Sequence, residues 1–402
     1  MNPSRVRLSG PLQEFRPGFV DELERQGYSP IGATLQVRLM ARVSSWMQAE
    51  RLVAWELSDE VVARFLAERR ATGRRGYVTA RAMAPLLAYL RELGVVPSAS
   101  PTRRPSTRAE MLGERFRGYL TVERGLAEST AIGYIDAVKP FLAGLDEDGL
   151  DLGELTAARV TAFVVARCPG QSRGAAKMTV TALRSLLGFL HVEGLIAGSL
   201  VGAVPSAASW RLSGLPRFLE DDQAQALLDS CDPQTATGRR DLAILTLLMR
   251  LGLRAGEVAG LRLEDLDWRA GELVVVGKGR RSERLPLPVD VGEAITEYLR
   301  DGRPDSALDR TVFIRIKAPH RRLTTGGVTQ VVVAAGRRAG LGQIHAHRLR
   351  HTAATSMLRA GAPLHEIGQV LRHREALSTA IYAKVDRAAL SSLSRPWPGA
   401  GR

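Results

Sequence analysis

The chain has 402 residues, 45% of them hydrophobic, and its 56 Lys+Arg against 42 Asp+Glu leave a formal charge of +14. At about 150 residues per domain the length calls for two or three cores, and a surplus carried mostly by arginine points to a polyanionic partner. There is no apolar run long enough to span a bilayer and no signal-like start, so a cytoplasmic protein with no membrane partner is expected; Cys168 and Cys231 are far apart and lack CxxC or zinc-ligand spacing, which argues against a disulfide framework.

In chain order, residues 1–97 read as a small helical bundle, 98–108 as a linker, 109–198 as a second helical bundle, and 199–216 as a second linker. Both linkers are rich in Ser, Pro and Gly. The two bundles resemble one another. "LLAYLRELGVV" from Leu86 and "LLGFLHVEGLI" from Leu186 share apolar and glycine positions, while "LSDEVVARFLAERR" from Leu57 matches "LTAARVTAFVVARC" from Leu155, with Phe65 opposite Phe163. An internal duplication is therefore expected, with Ser58 and Thr156 as N-caps. Residues 217–402 form the third domain and its C-terminal tail: two helices, a hairpin in "GELVVVGKGRRSERLPLP", and helical periodicity again from Thr329. The predicted fold class is mainly α, two N-terminal bundles followed by a mostly helical domain with a small antiparallel β-sheet.

Several segments of the third domain carry chemistry. In "GLRAGEVAGLRLEDLDW" Arg254 and Glu257 share a helical face, an arrangement that is usually an exposed ion pair. Here it follows a strongly apolar helix and a Gly-Leu, which brings the guanidinium to a cleft. Lys278 sits in a glycine-flanked turn, a mobile ammonium whose pKa shifts readily on desolvation. "HRLRHTAAT" puts His347 and Arg350 on one helical face. A zinc reading from His347, His351 and His345 lacks the glutamate of HExxH and any nearby carboxylate or cysteine. "GAPLHEIGQVLRHREALSTAIYAKV" reads as a helix carrying His373 and then Tyr382, although a lone tyrosine on such a helix is usually core.

Together these residue types suit a phosphodiester. Arg254 and Arg350 can fork onto non-bridging oxygens and neutralise charge in the transition state. A phenol of pKa about 10 attacks only once a base takes its proton, and His347 and His373 are candidate bases. Lys278 can protonate the leaving oxygen. No acidic cluster suited to two magnesium ions is evident, so neither metal nor cofactor is expected.

The order Arg, Lys, His-x-x-Arg, His, Tyr, read in "GLRAGE", "GKGRRSERLPL", "HRLRHTAAT", "LRH" and "IYAKV", resembles the tyrosine recombinase (phage integrase) family. The resemblance covers about 217–387, and "FRGYLTVERGLAESTAIGYIDAVKPFL" looks like the family's helical, SAM-like core-binding domain. It implies Arg254, Lys278, His347, Arg350 and His373 as catalytic residues, Tyr382 as nucleophile and Glu257 as the acidic support of the first arginine. It further implies site-specific cutting and rejoining of double-stranded DNA through a 3′-phosphotyrosine link, without metal or ATP. A tetramer on two DNA sites at the nucleoid, with possible accessory or sister recombinases, and service to a mobile element complete that expectation. Arg280, Arg281, Arg321, Arg322 and Arg372 are candidate DNA contacts. Arg372 stands where the family usually has the glycine of "LGH", and residues 1–97 form a bundle that a typical member lacks. The alternatives are a binding-only partner in a multi-recombinase complex and a type IB topoisomerase-like relaxase.

Overall fold

The computed structural model describes residues 3–73, 76, 78–98, 107–149, 151–206, 217–277, 281–372, 379 and 381–385. Lys278, Arg280 and His373 lie outside the described residues. The chain divides into two compact units, one of Met1–Ala99 with Gly214–Arg402, the other of Ser100–Ser213.

The first bundle contains α1 (Arg16–Arg25), α2 (Pro30–Ala49), α3 (Asp59–Ala71) and α4 (Ala80–Glu92). Its core gathers Phe19, Leu23, Val37, Met40, Phe65, Met83 and Leu87. The unit of Ser100–Ser213 repeats that order with α5 (Arg108–Gly118), α6 (Glu128–Glu147), α7 (Ala157–Arg167) and α8 (Arg173–Val192), around Phe116, Val138, Phe141, Leu183 and Leu187. The likeness extends to local detail. Helices α2 and α6 each have 20 residues, and each is followed by one 3-10 turn, Ala54–Glu56 or Leu152–Glu154. Ser58 then caps α3 by accepting from the Val61 amide, as Thr156 caps α7 by accepting from that of Arg159. Such caps satisfy amides that the first helical turn leaves without partners. Phe65 meets Trp46 of α2 edge-on at 5.4 Å, and Phe163 meets Phe141 of α6 edge-on at 5.0 Å.

The Gly214–Arg402 part contains α9 (Asp221–Asp229), α10 (Ala236–Arg250) and α11 (Ala255–Gly260), then β1 (Leu266–Asp267), β2 (Glu272–Val276) and β3 (Ser282–Pro286). It continues with α12 (Val289–Asp301), α13 (Thr325–Arg338), α14 (Ala346–Arg359) and α15 (Leu364–Val370). Helix α10 is the buried centre, with Ala243, Ile244, Leu245, Leu247 and Leu248 at most 1% exposed, and it packs on α12, α13 and α14. The strands form an antiparallel sheet in the order β1-β2-β3, with Leu273 paired to Leu285 and Val276 to Ser282. Leu273 and Val275 turn inward, the period-two burial of a sheet with one wet face.

The antiparallel sheet contains the expected hairpin, β2–β3, and beside it a further strand, β1, whose two residues are too short for a periodic signal. Two expectations are corrected. Helicity resumes already at Val289 with α12, well before Thr329, and α13 then begins at Thr325, where the Thr324 hydroxyl accepts from the Gly327 amide. The segment expected as one helix through Tyr382 is interrupted: α15 ends at Val370, Arg372 has φ +56°, and Tyr382 sits on a separate 3-10 turn, Ile381–Val385.

Within the same unit, the turn after α1 touches the Gly214–Arg402 part. The His320 amide donates to the Gln26 carbonyl at 3.1 Å, and a Cβ on Gly27, whose φ is +80°, would meet His320 Nδ1 at 2.2 Å, so only glycine fits that approach.

Candidate active site

The turn between α10 and α11 sets the first arginine. Gly252 there has φ +57°, and an added Cβ would lie 2.5 Å from a Leu371 methyl, which explains the glycine of "GLRAGE". Two residues on, Arg254 is the N-cap of α11. The Glu257 carboxylate accepts from the Arg254 amide at 2.7 Å through one oxygen and from its guanidinium at 2.7 Å through the other. The i,i+3 pair read from the sequence is thus a helix-capping pair, with Glu257 buried and the arginine side chain 41% exposed.

Glu257 takes a second cation. Arg372 Nη2 donates to Glu257 Oε2 at 2.8 Å, and both side chains are 4% exposed. Burial pushes the Glu257 carboxyl up, but the Arg254 amide, the Arg372 charge and the Arg254 guanidinium outweigh it and hold the group below its usual range. Arg372 was expected as a DNA contact; its buried guanidinium is turned onto Glu257 instead.

Helix α14 begins at Ala346 because the preceding His345 is extended, and it carries His347, Arg350 and His351. Arg350 is 2% exposed. Its Nη1 donates to the Gly252 carbonyl and its Nη2 to that of Leu371. Burial, then the charges of Arg254 and Arg372, lower its pKa to about 10, so it stays cationic at neutral pH. Thr352 on the same helix accepts from the Leu219 amide at 2.9 Å, and Arg348 donates to the Phe218 carbonyl. These bonds tie the start of the part to the site-bearing helix.

Tyr382 is 1% exposed, packed with Ala354, Ile367 and Leu371. Just before its 3-10 turn, Thr379 packs close to Gly368, where an added Cβ would meet Thr379 Oγ1 at 2.9 Å. The phenolic oxygen lies 2.9 Å from Nδ1 of His351. Burial raises the phenol pKa, and the Arg350 charge pulls it back. His351 is lowered to about 4, by burial first and then by His347 and Arg350. His347, 4.3 Å from His351 between ring centroids, keeps an open face; desolvation and then Arg350 and Arg254 lower it too. Both imidazoles are therefore neutral near pH 7.

The structure thus gathers Arg254, Glu257, His347, Arg350 and Tyr382. His351, which was weighed in the sequence only as a zinc ligand, is the imidazole in contact with the tyrosine hydroxyl. Its signal was the spacing of one helical turn from His347; its partner, 31 residues on, was not legible. Arg281, Arg321 and Arg322 are exposed, and the charges of Arg315 and Arg321 act on Tyr28 of the first bundle. No group of three or more His, Cys, Asp or Glu suited to a metal ion occurs among the described residues, and no described helix is long and apolar enough to cross a membrane.

Residues 217–388 match the Phage integrase family, and residues 114–194 match the Phage integrase, N-terminal SAM-like domain. The integrase/recombinase y4rA of Sinorhizobium fredii is 39% identical over 97% of this chain and 95% of its own length. Tyrosine recombinase XerC of Oceanobacillus iheyensis is 30% identical over 69% of this chain and 92% of its own. The fold is similar to that of XerH site-specific recombinase, solved in a post-cleavage complex with its palindromic difH substrate, at TM-score 0.57 and 18% identity over 83% of this chain and 93% of that one.

Proposed function

The chain belongs to the phage integrase family of tyrosine recombinases, and from that premise we propose that it exchanges DNA strands between specific sites through a phosphotyrosine link at Tyr382, in the service of a mobile element. The observation that carries this reading is the contact of Tyr382 with His351 beside the buried Arg350.

In the first step the phenolic oxygen attacks the scissile phosphorus and the bond from phosphorus to the 5′ oxygen breaks. The phenol proton passes to His351, whose neutral ring in the Nε2-protonated tautomer offers Nδ1 as acceptor. Arg254 and Arg350 neutralise the non-bridging oxygens, and His347 supplies a further donor. Lys278 gives a proton to the leaving 5′ oxygen. The reverse step uses the same groups, with the 5′ hydroxyl of a partner strand as nucleophile, so the bond energy is conserved and neither ATP nor metal enters. A tetramer on two sites follows from exchange between two duplexes. The bundle of residues 1–97 serves to lengthen the DNA footprint or to join protomers.

The test is strand exchange between two copies of DNA flanking the protein's own gene, in EDTA and without ATP. Exchange by the wild type and not by Tyr382→Phe supports the proposal. Relaxation of supercoils without exchange favours a relaxase, and binding without cutting favours a binding-only partner.

A further inference from the structure

At Arg372 the backbone φ is +56°, a conformation that side chains with a Cβ rarely adopt, and yet the position carries an arginine. Five hydrogen bonds tie this turn to Glu257, Arg254 and Arg350. Arg350 donates to the carbonyl of Leu371, and Arg254 donates to the carbonyl of Arg372 itself at 3.3 Å. The Arg372 guanidinium turns back to Glu257 at 2.8 Å, and Glu257 holds Arg254 by both its amide and its guanidinium. The result is a closed ring, Arg372 to Glu257 to Arg254 and back to the Arg372 carbonyl, with Arg350 attached one residue upstream.

We propose that Arg372 is a positioning residue: its guanidinium, acting through Glu257, locks the αL turn after α15 and so sets Arg254 and Arg350 for the phosphate. This rests on the proposed role of those two arginines as the clamp. The physical ground is placement. Arg254 is well exposed, and a long side chain held only at its root by a cap would sample many rotamers. With Glu257 fixed from both sides, that freedom is removed before DNA arrives. The buried Nε of Arg372 has no hydrogen-bond partner, so the residue is poorly suited to a role in stability alone.

The experiment is single-turnover formation of the covalent adduct on a nicked duplex from the protein's flanking DNA, with affinity and urea midpoint measured in parallel. Arg372→Gly suits φ +56° and removes the whole side chain with its guanidinium, and Arg372→Lys keeps the charge. The expected loss for Arg372→Gly is about tenfold or more in maximal rate, since small misplacement of a reacting group costs up to about a hundredfold. Affinity stays within about twofold, the lysine variant recovers part of the loss, and Glu257→Gln with Arg372→Gly is no slower than Glu257→Gln alone, as expected for two groups acting in one chain. A glycine variant within about threefold of wild type, equal losses in the glycine and lysine variants, or losses that multiply in the double variant overturn the proposal; these bounds follow the same coupling logic. A parallel fall in urea midpoint and affinity marks a structural role and overturns it too. If the wild type itself forms no adduct, the reading of Tyr382 fails first, before any Arg372 variant is compared.

Discussion

His351 Nδ1 stands 2.9 Å from the Tyr382 hydroxyl, the geometry of a base beside its nucleophile. Replacing the ring with glutamine keeps a polar group of similar reach but no basic nitrogen. His351→Gln is expected to slow adduct formation by about a hundredfold, the lower end of general-base effects, with DNA affinity nearly unchanged. Gel-shift titration and single-turnover kinetics check this, and an unchanged rate would assign the proton to another group.

The acid side of the pH profile follows from the same ring. His351 is held at about 4, whereas an imidazole in the unfolded chain titrates near 6.5. The folded value is depressed, so the stability linked to the neutral ring is fully present above about pH 6.5 and is lost as pH falls towards 4. His347 is shifted in the same direction. Urea midpoints should decline across that window, and the adduct rate at saturating DNA should hold its plateau below pH 6. A plateau that ends near pH 6.5 contradicts the depressed ring.

Glu257 is the shared counter-ion of Arg254 and Arg372. Glu257→Gln leaves the Arg372 guanidinium buried without its charge partner, and breaking such a pair from one side costs about 3 kcal/mol. The urea midpoint should fall accordingly, and the rate should fall with it because Arg254 loses its anchor.

The N-caps of α3 and α7 give a prediction far from the chemistry. Ser58→Ala and Thr156→Ala each remove one hydroxyl that accepts a helix amide, at a cost of about 1 kcal/mol apiece. The two sites lie in different compact units, so calorimetry should show each loss confined to its own transition where the transitions are resolved.

Those caps were legible in the sequence because a capping hydroxyl acts within three residues of itself. The spacing of Arg254 and Glu257 was legible for the same reason, and the order of the motifs pointed to Tyr382 as nucleophile. Other features depend on distant partners. The end of α15 was missed because "LRH" continues the apolar period while Arg372 turns to φ +56° under the pull of Glu257, 115 residues away. His351 was misjudged because its partner comes from a separate 3-10 turn. The constraints on Gly252 and Gly368 are set by distant partners, the methyl of Leu371 and the hydroxyl of Thr379.

Tyr382 is expected to become covalently bonded to DNA. Wild-type protein and Tyr382→Phe are incubated in EDTA with nicked duplex from the flanking DNA, denatured and digested, and the modified peptide is located by mass spectrometry. A 3′-phosphonucleotide on Tyr382 in the wild type, absent from the variant, is the expected result. An adduct on another residue, or none from wild-type protein that binds the same DNA, would contradict the account.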